Sequence, residues 1–504
     1  VELPVWLVAL ALVLAAIGAL DRVLAPSMRW VLRRRMERAV ARLNERLQRP
    51  IEPFKLMARQ DRINRLVYDP VVTEAIAQHA HETGIPEPVA AEEARRYARE
   101  IVPGFSTLIY FGIAIRLARW LTRALYRVRI GRLDTQAIAA IDPNATVVFV
   151  MNHRSNMDYV LLTWLVSDRS TLSFAVGEWA RVWPLSRLIR AMGAYFIRRR
   201  SRNTLYRKVL ARYVQMATAE GVTQAIFPEG GLSLDGRVGP AKMGLLHYIV
   251  TGFRPRPRSG NASDNAAAQA PAAPPQGAHD VVFLPVALGY DRVLEDQLLL
   301  RAAKAGGRRF RARPFGVVQF LLRRLWGRLI GRDMRLGYAA VSFGPPLSLA
   351  RFLAETDTAG AAETTRTEAL AARLMQEVTR VVPILPVPLA AAALSSGATG
   401  RPALTAEAER LASRLRAAGA PLRLPGSDAG AAAMAGIDEL IRRGVLRARR
   451  GRITSTASGA ALIAFYAAPV FQHLDADAAK LARLPAPAAL PSPETAGDRK
   501  SEET

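Results

Sequence analysis

The chain has 504 residues, half of them hydrophobic, with no cysteine, six histidines and a formal net charge of +27. That length calls for two or three folded units and a sizeable core, which excludes a small module or a wholly disordered chain. The missing cysteines exclude disulfides, thiolate-ligated zinc or iron–sulfur and a thiol nucleophile, while the charge suits nucleic acid, an anionic membrane surface, or acidic substrates and carrier proteins.

Residues 4–20 form an uninterrupted apolar or small run, near the lower length for a spanning helix, and set a membrane anchor over 1–25. Glu2 is the only charge before it, and Arg22, Arg29, Arg33, Arg34 and Arg35 follow. The positive-inside rule then puts the N-terminus outside and the remainder in the cytoplasm. A buried or interfacial helix is the alternative. Residues 26–128 read as a helical region punctuated by Gly84, Pro86 and Pro103. Its last part, 104–128, is amphipathic: an apolar run through Ile115 gives way to Arg116, Arg119 and Arg123, interleaved with Leu117, Trp120 and Leu121. That pattern suits a helix lying on anionic lipid, or else a surface helix with its apolar face on the core. A similar stretch lies at 320–330, with Arg323, Arg324, Trp326 and Arg328.

Residues 129–350 alternate apolar strands, at 145–150, 224–227, 281–286 and 336–343, with helical stretches at 161–166 and 205–219. The expected fold is an α/β core with a partly parallel sheet, flanked by N-terminal and C-terminal helical regions and the N-terminal membrane helix. Residues 254–279, rich in Pro, Ala, Ser and Asn, read as a disordered insertion. Residues 351–483 form a helical C-terminal region and 484–504 a disordered tail. Within that region, 437–454 reads as helix, strand, turn, strand, with Arg447, Arg449, Arg450 and Arg452 on the hairpin.

Four stretches carry chemistry. The first is Asn152-His153-Arg154-Ser155-Asn156-Met157-Asp158-Tyr159, directly after the first apolar strand. It sets a histidine and an aspartate where strand gives way to helix, a spacing suited to a general base and the carboxylate that orients it. The second is Gly193-Ala194-Tyr195-Phe196-Ile197-Arg198-Arg199-Arg200, a small turn and a strand-like pair leading into arginines able to hold a phosphate. The third runs from Phe227-Pro228-Glu229-Gly230-Gly231-Leu232 through Arg237 to Lys242, with glycines that admit close backbone approach. There Glu229 could bind a substrate hydroxyl and Lys242 a phosphate. The fourth, Leu284-Pro285-Val286-Ala287-Leu288-Gly289-Tyr290-Asp291, is a buried strand ending in a turn. Taken singly, each has a bland reading: a satisfied polar group, a solvated charge run, a tight turn, a structural strand. His79, His81, His247, His279 and His473 show no paired metal-ligand pattern, so no metal is expected.

Together and in this order, the four stretches resemble the motif blocks of the membrane glycerolipid acyltransferases. The likeness is greatest to the bacterial glycerol-3-phosphate acyltransferases and their dihydroxyacetone-phosphate relatives. It reaches upstream to Leu66-Val67-Tyr68-Asp69-Pro70 and downstream to Ala464-Phe465-Tyr466 and His473-Leu474. The resemblance implies acyl transfer from a thioester to an alcohol, with His153 as base and Asp158 as its orienting partner. It further places Gly193, Arg198 and Arg199 at the acceptor site, Glu229 and Gly230 against glycerol phosphate, and Pro285 on the acyl-donor side. Arg154, Ser155, Gly231, Arg237 and Lys242 complete the expected substrate-binding set. No cofactor is expected. Acyl-CoA or acylated carrier protein is the co-substrate, glycerol 3-phosphate the acceptor and anionic membrane lipid a further partner. The expected location is the bacterial inner membrane, with the catalytic domain on its cytoplasmic side.

Two departures stand out. Asn156 occupies the place of the family's second histidine, and Leu232 and Leu234 replace two arginines, the first a presumed phosphate ligand. The acceptor therefore stays open among glycerol 3-phosphate, dihydroxyacetone phosphate, a lysophosphatidic acid and something less acidic. Rivals of another class are a nucleic-acid-binding membrane protein using the basic hairpin at 445–453, and an inactive scaffold. No specific nucleic-acid target is expected from bulk charge.

Overall fold

The computed structural model describes residues 34, 38, 40–45, 47, 49–131, 133–167, 170–177, 185–198, 201, 203–253, 280–305, 335–356 and 363–474. The expected anchor at 1–25, the insertion at 254–279, the basic stretch at 320–330, the tail at 484–504 and Arg199 lie outside the described residues.

The main sheet contains β1 (Arg127–Ile130), β2 (Thr146–Met151), β3 (Ser173–Val176), β4 (Tyr195–Phe196), β5 (Gln224–Ile226), β6 (Val281–Tyr290), β7 (Tyr338–Phe343) and β8 (Leu347–Ser348). Their order is β1-β7-β6-β2-β5-β3-β4, with β8 beside β6. Only the pairings of β6 with β7 and with β8 are antiparallel. The sheet is therefore mixed and mostly parallel. The four strands expected from the sequence are β2, β5, β6 and β7, and the strand-like pair Tyr195–Phe196 is β4. The sequence reading missed β1, β3 and β8, which are two to four residues long. β1 straddles the expected boundary at residue 128.

The central strands are apolar on both faces because both faces are covered, as parallel sheets require. β2 shows how. Val147, Phe149 and Met151 belong to one core cluster, Val148 and Val150 to the other. The first cluster is closed by helix α5 and the C-terminal helices, the second by N-terminal helices. In chain order the helices used below are α1 (Arg59–Val67), α2 (Pro70–Thr83), α3 (Glu87–Ile101), α4 (Ile115–Leu125), α5 (Met157–Val166), α6 (Thr204–Ala219), α7 (Gly244–Gly252), α8 (Asp296–Lys304), α9 (Glu363–Arg380), α10 (Pro386–Ser395), α11 (Arg401–Ala417), α12 (Ala429–Arg442) and α13 (Ala460–His473).

A π-helical turn, Leu108–Ala114, leads into α4, which packs on α5. Its wider winding brings Leu108 and Ile113 onto one side, in line with Leu117 and Trp120. All four are exposed, Leu108 at 74% and Trp120 at 53%. Among the described residues no helix is long and apolar enough to cross a membrane.

In the C-terminal region α10 is the buried centre, its alanine-rich surface packed by α11, α12 and α13. The expected helix–strand–turn–strand is present as α12 followed by β9 (Leu446–Arg449) and β10 (Arg452–Ser455), turning through Arg450 and Gly451, both at positive φ. That backbone matches the tight turn which best fits the twist of a two-residue hairpin.

Candidate active site

β2 delivers the chain to the C-terminal edge of the sheet, where open α/β sheets hold ligands. The first residue beyond the strand, Asn152, locks onto β6: Nδ2 donates to the Leu288 carbonyl at 3.0 Å and Oδ1 accepts from Leu288 N at 2.8 Å. The turn that follows ends in α5, whose first turn carries Asp158.

The Asp158 carboxylate points back into that turn and is fully buried. Oδ2 lies 2.9 Å from His153 Nδ1 and accepts the Arg154 and Ser155 amides at 2.8 and 3.0 Å. Oδ1 accepts the Tyr290 hydroxyl at 2.7 Å. Burial, and then the neighbouring carboxylate, hold that phenol well above its ordinary pKa, so Tyr290 stays a donor. The His153 ring, only 1% exposed, stacks on Phe227 at 4.1 Å and meets Tyr159 edge-on at 5.5 Å. A carboxylate that only accepts fixes the ring hydrogen on Nδ1, and the flanking rings fix its plane.

Glu229 braces the same turn from the loop after β5. Its Oε1 accepts His153 N at 2.9 Å and its Oε2 accepts Gly239 N at 3.1 Å. It was expected to touch glycerol phosphate; here it is buried and holds backbone amides on both oxygens. Ser155 and Arg154 are also spent within the protein. Ser155 Oγ donates to Glu295 Oε2 at 2.7 Å. Arg154 donates to the Gly236 carbonyl, and its guanidinium lies 4.7 Å from the Phe465 ring centre.

Several other expected site residues lie on or beside strands other than β2. Gly193 precedes β4 at positive φ, packed against Phe105 and the Leu172 carbonyl. It therefore belongs to the opposite end of the strands from His153, and its glycine is required by the turn. Arg198 follows β4, three strands from β2, or about 14 Å at usual strand spacing. Glu100 takes its guanidinium in a two-point grip, at 2.9 and 2.6 Å. That contact, ahead of its partial burial, raises the Arg198 pKa. Pro285 lies buried in β6, where its carbonyl accepts from Gly344. It faces the break between β7 and β8, the place in the sheet where a missing N–H costs no ladder bond. It thus has a structural role in the strand, and its neighbour Leu284 lines an apolar cavity.

In the third block Gly230 is left-handed, and Lys242 lies across it; a Cβ there would stand 2.8 Å from the lysine Cδ. Gly231 is buried, Lys242 exposed and Arg237 half-buried. Leu232 and Leu234 pack against the first core cluster. The places of the two family arginines are thus turned toward the C-terminal core.

Sequence reasoning missed Tyr290 and Glu295. Glu295, buried at the entry to α8, accepts Ser155 Oγ and also Asn156 N and Nδ2 at 3.2 and 3.0 Å. Asn156 thereby keeps a side-chain N–H donor where the family has histidine. Burial raises the Glu295 pKa against those donors. The neighbouring residues tie the same segment to the C-terminal region. Asp291 accepts Val387 N and Tyr338 N at 2.9 and 2.8 Å. Val293 N donates to the Tyr466 hydroxyl, which in turn donates to Asp296 at 2.7 Å. Gln472 on α13 exchanges two 2.9 Å bonds with Val238. The Tyr290-Asp291 pair of the fourth block and the downstream Ala464-Phe465-Tyr466 stretch were the sequence signals for this junction.

Among the described residues no cluster of potential ligands could hold a metal ion. Residues 132–288 match the family model described as Acyltransferase, and residues 327–479 match the Glycerol-3-phosphate acyltransferase C-terminal region. Similar proteins include the glycerol-3-phosphate acyltransferase of Pseudomonas putida (strain GB-1), 27% identical over 299 residues, or 58% of this chain and 32% of that protein. The protein of the same description from Pseudomonas entomophila (strain L48) is 28% identical over 301 residues, 59% of this chain and 32% of its own. The chain spans about a third of the length of these relatives. A crystal structure of the 1-acyl-sn-glycerophosphate (LPA) acyltransferase, PlsC, from Thermotoga maritima matches over 64% of this chain and 97% of that one, at 18% identity. Its TM-score of 0.29 is too low to bear on fold or chemistry.

Proposed function

The chain belongs to the glycerol-3-phosphate acyltransferase family, and from that premise we propose that it moves a fatty acyl group from a thioester to the 1-hydroxyl of glycerol 3-phosphate. The product is lysophosphatidic acid. The observation that carries this reading is the 2.9 Å contact between His153 Nδ1 and Asp158, buried in a turn at the C-terminal edge of the sheet.

In this mechanism His153 Nε2 takes the proton of the acceptor hydroxyl as its oxygen attacks the thioester carbonyl. Asp158 holds the tautomer and stabilises the imidazolium, and Tyr290 and the Arg154 and Ser155 amides hold Asp158. The tetrahedral intermediate collapses, the carbon–sulfur bond breaks, and the imidazolium returns the proton to the departing thiolate. Transfer is direct in this reading: the chain has no cysteine to form a thioester with the enzyme, and the block around Ser155 has no Gly-x-Ser-x-Gly elbow to present a serine nucleophile. The donor is acyl-CoA or acylated carrier protein, both acidic and both suited to a chain of net charge +27.

An apolar cavity of about 400 Å³ supports an acyl substrate. It lies under the β2 face carrying Val147 and Phe149, with Leu165, Leu284 and Phe343 among its walls. The exposed row of Leu108, Ile113, Leu117 and Trp120, beside Arg116 and Arg119, supports seating on anionic lipid. With the apolar run at 4–20 read as an anchor, the proposed location is the cytoplasmic face of a bacterial inner membrane. A different acceptor, lysophosphatidic acid, is favoured by one observation, the inward packing of Leu232 and Leu234. The nucleic-acid reading gains little from α12, whose exposed positions include Ala431, Ala435 and Asp438.

The test is a competition assay on membranes carrying the protein, with labelled donor and both acceptors. Label in lysophosphatidic acid supports the proposal. Label only in phosphatidic acid moves the enzyme one acylation later. No His153-dependent label in either, with both donors tried, overturns it.

A further inference from the structure

A second cavity, of about 550 Å³, opens between the sheet edge and the C-terminal region, on the far side of the 290–296 segment from His153. Four parts of the chain bring arginines to it: Arg127 from the start of β1, Arg292 from the turn after β6, Arg335 ahead of β7, and Arg442 with Arg443 from the end of α12. Its two carboxylates are already engaged. Asp296 is held by Tyr466 and Arg443, and Glu439 by Arg442 at 2.6 Å. Among the described residues, five guanidinium groups against two carboxylates leave the lining basic; Arg127, Arg335 and Arg442 are exposed at its mouth, while Arg292 and Arg443 sit deeper.

Arg443 supplies an independent sign. Its side chain is only 6% exposed. Asp296 takes Nη2, and Tyr466 lies against the guanidinium with its ring centre 5.3 Å from the guanidinium carbon, yet among the described residues Nη1 is buried with no hydrogen-bond partner. A buried guanidinium N–H left unsatisfied is costly, and native proteins seldom keep one without a reason. Arginine forks match phosphate oxygens better than any other side chain.

We propose that this cavity is a phosphate site separate from the His153 centre. It takes a phosphomonoester, carried either by a soluble nucleotide or by a lipid headgroup, with Arg292 at the rim and Arg443 at the inner wall. The link to the catalytic turn is short. Arg443 holds Asp296, whose chain neighbour Glu295 holds Ser155 and Asn156. A bound phosphate therefore stiffens the turn that carries His153.

Binding is read without turnover, so it stands apart from the proposed activity. Radiolabelled inorganic phosphate is titrated onto the detergent-solubilised full chain in the His153→Ala background. A saturable class is expected, weakened about ten- to a hundredfold by Arg292→Ala and by Arg443→Met. Melting temperatures identify any variant that fails to fold, and Arg292, only half-buried, is the safer of the two. Displacement by adenosine bisphosphate assigns a soluble ligand; displacement only by short-chain phosphatidic acid assigns a lipid headgroup. Equal phosphate binding in the His153→Ala parent and both folded variants made in it, or displacement by neither competitor, overturns the proposal.

Discussion

The turn at 152–158 and the segment at 193–198 carry motif blocks of similar length, yet they are built in opposite ways. The first is braced by β6 through Asn152 and Tyr290, by the loop after β5 through Glu229, and by the entry to α8 through Glu295. Each brace fixes the direction of one polar group beside His153. The second is held by its own left-handed turn at Gly193, by the Tyr206 hydroxyl on the Arg198 amide, and by the Arg198–Glu100 pair. Reactions demand position to within fractions of an ångström, and only the first segment has the converging supports to provide it.

The comparison breaks most readily at Asp158. Asp158→Ala is expected to lower acyl transfer by about a thousandfold. Because it strips the acceptor from the His153 ring, two amides and the Tyr290 hydroxyl, it should also cost about 3 kcal/mol of stability. Activity within threefold of wild type would make the densely braced turn a structural feature only.

Glu295→Gln sharpens the comparison from the other side. It leaves the volume and removes the charge, so kcat should fall about ten- to a hundredfold with KM nearly unchanged, because a small shift of the turn misplaces the base. A rise in KM alone would move Glu295 to substrate binding. Arg198→Ala should change KM by less than about threefold and stability by about 0.5 kcal/mol, as for a partly exposed ion pair. A large KM increase for glycerol 3-phosphate would instead return Arg198 to the acceptor site.

The pH-dependent effect concerns Asp291, whose carboxyl is pushed up to about 7 by burial, partly offset by the Val387 and Tyr338 amides. Its folded form keeps a proton that the unfolded chain releases near pH ~3.9. The stability it contributes is therefore full below that value and is lost as pH rises through about 7. As pH rises across that window the melting temperature of wild type should fall relative to that of Asp291→Asn, which does not titrate; a constant difference from acid to neutral pH would exclude titration there.

Much of the fold was legible because its central strands are long apolar runs bounded by turns, as β2 and β6 are. β1 and β3 were not, since four residues give too short a pattern, and the alternating Arg127-Val128-Arg129-Ile130 reads equally as a helix end. The pairing of His153 with Asp158 was legible because both lie within one turn. Tyr290 and Glu295 were not, since they reach Asp158 and Ser155 across 132 and 140 residues. Nor could spacing show that Glu229 and Arg198 have partners inside the protein, because Gly239 and Glu100 become neighbours only on folding.

The central claim is that the braced histidine moves the proton. Initial rates of labelled acyl transfer to glycerol 3-phosphate by wild type and His153→Ala, at matched expression and melting temperature, test it most directly. The account predicts labelled lysophosphatidic acid from wild type and a loss of about a thousandfold in the variant. Equal rates from the two proteins would contradict it.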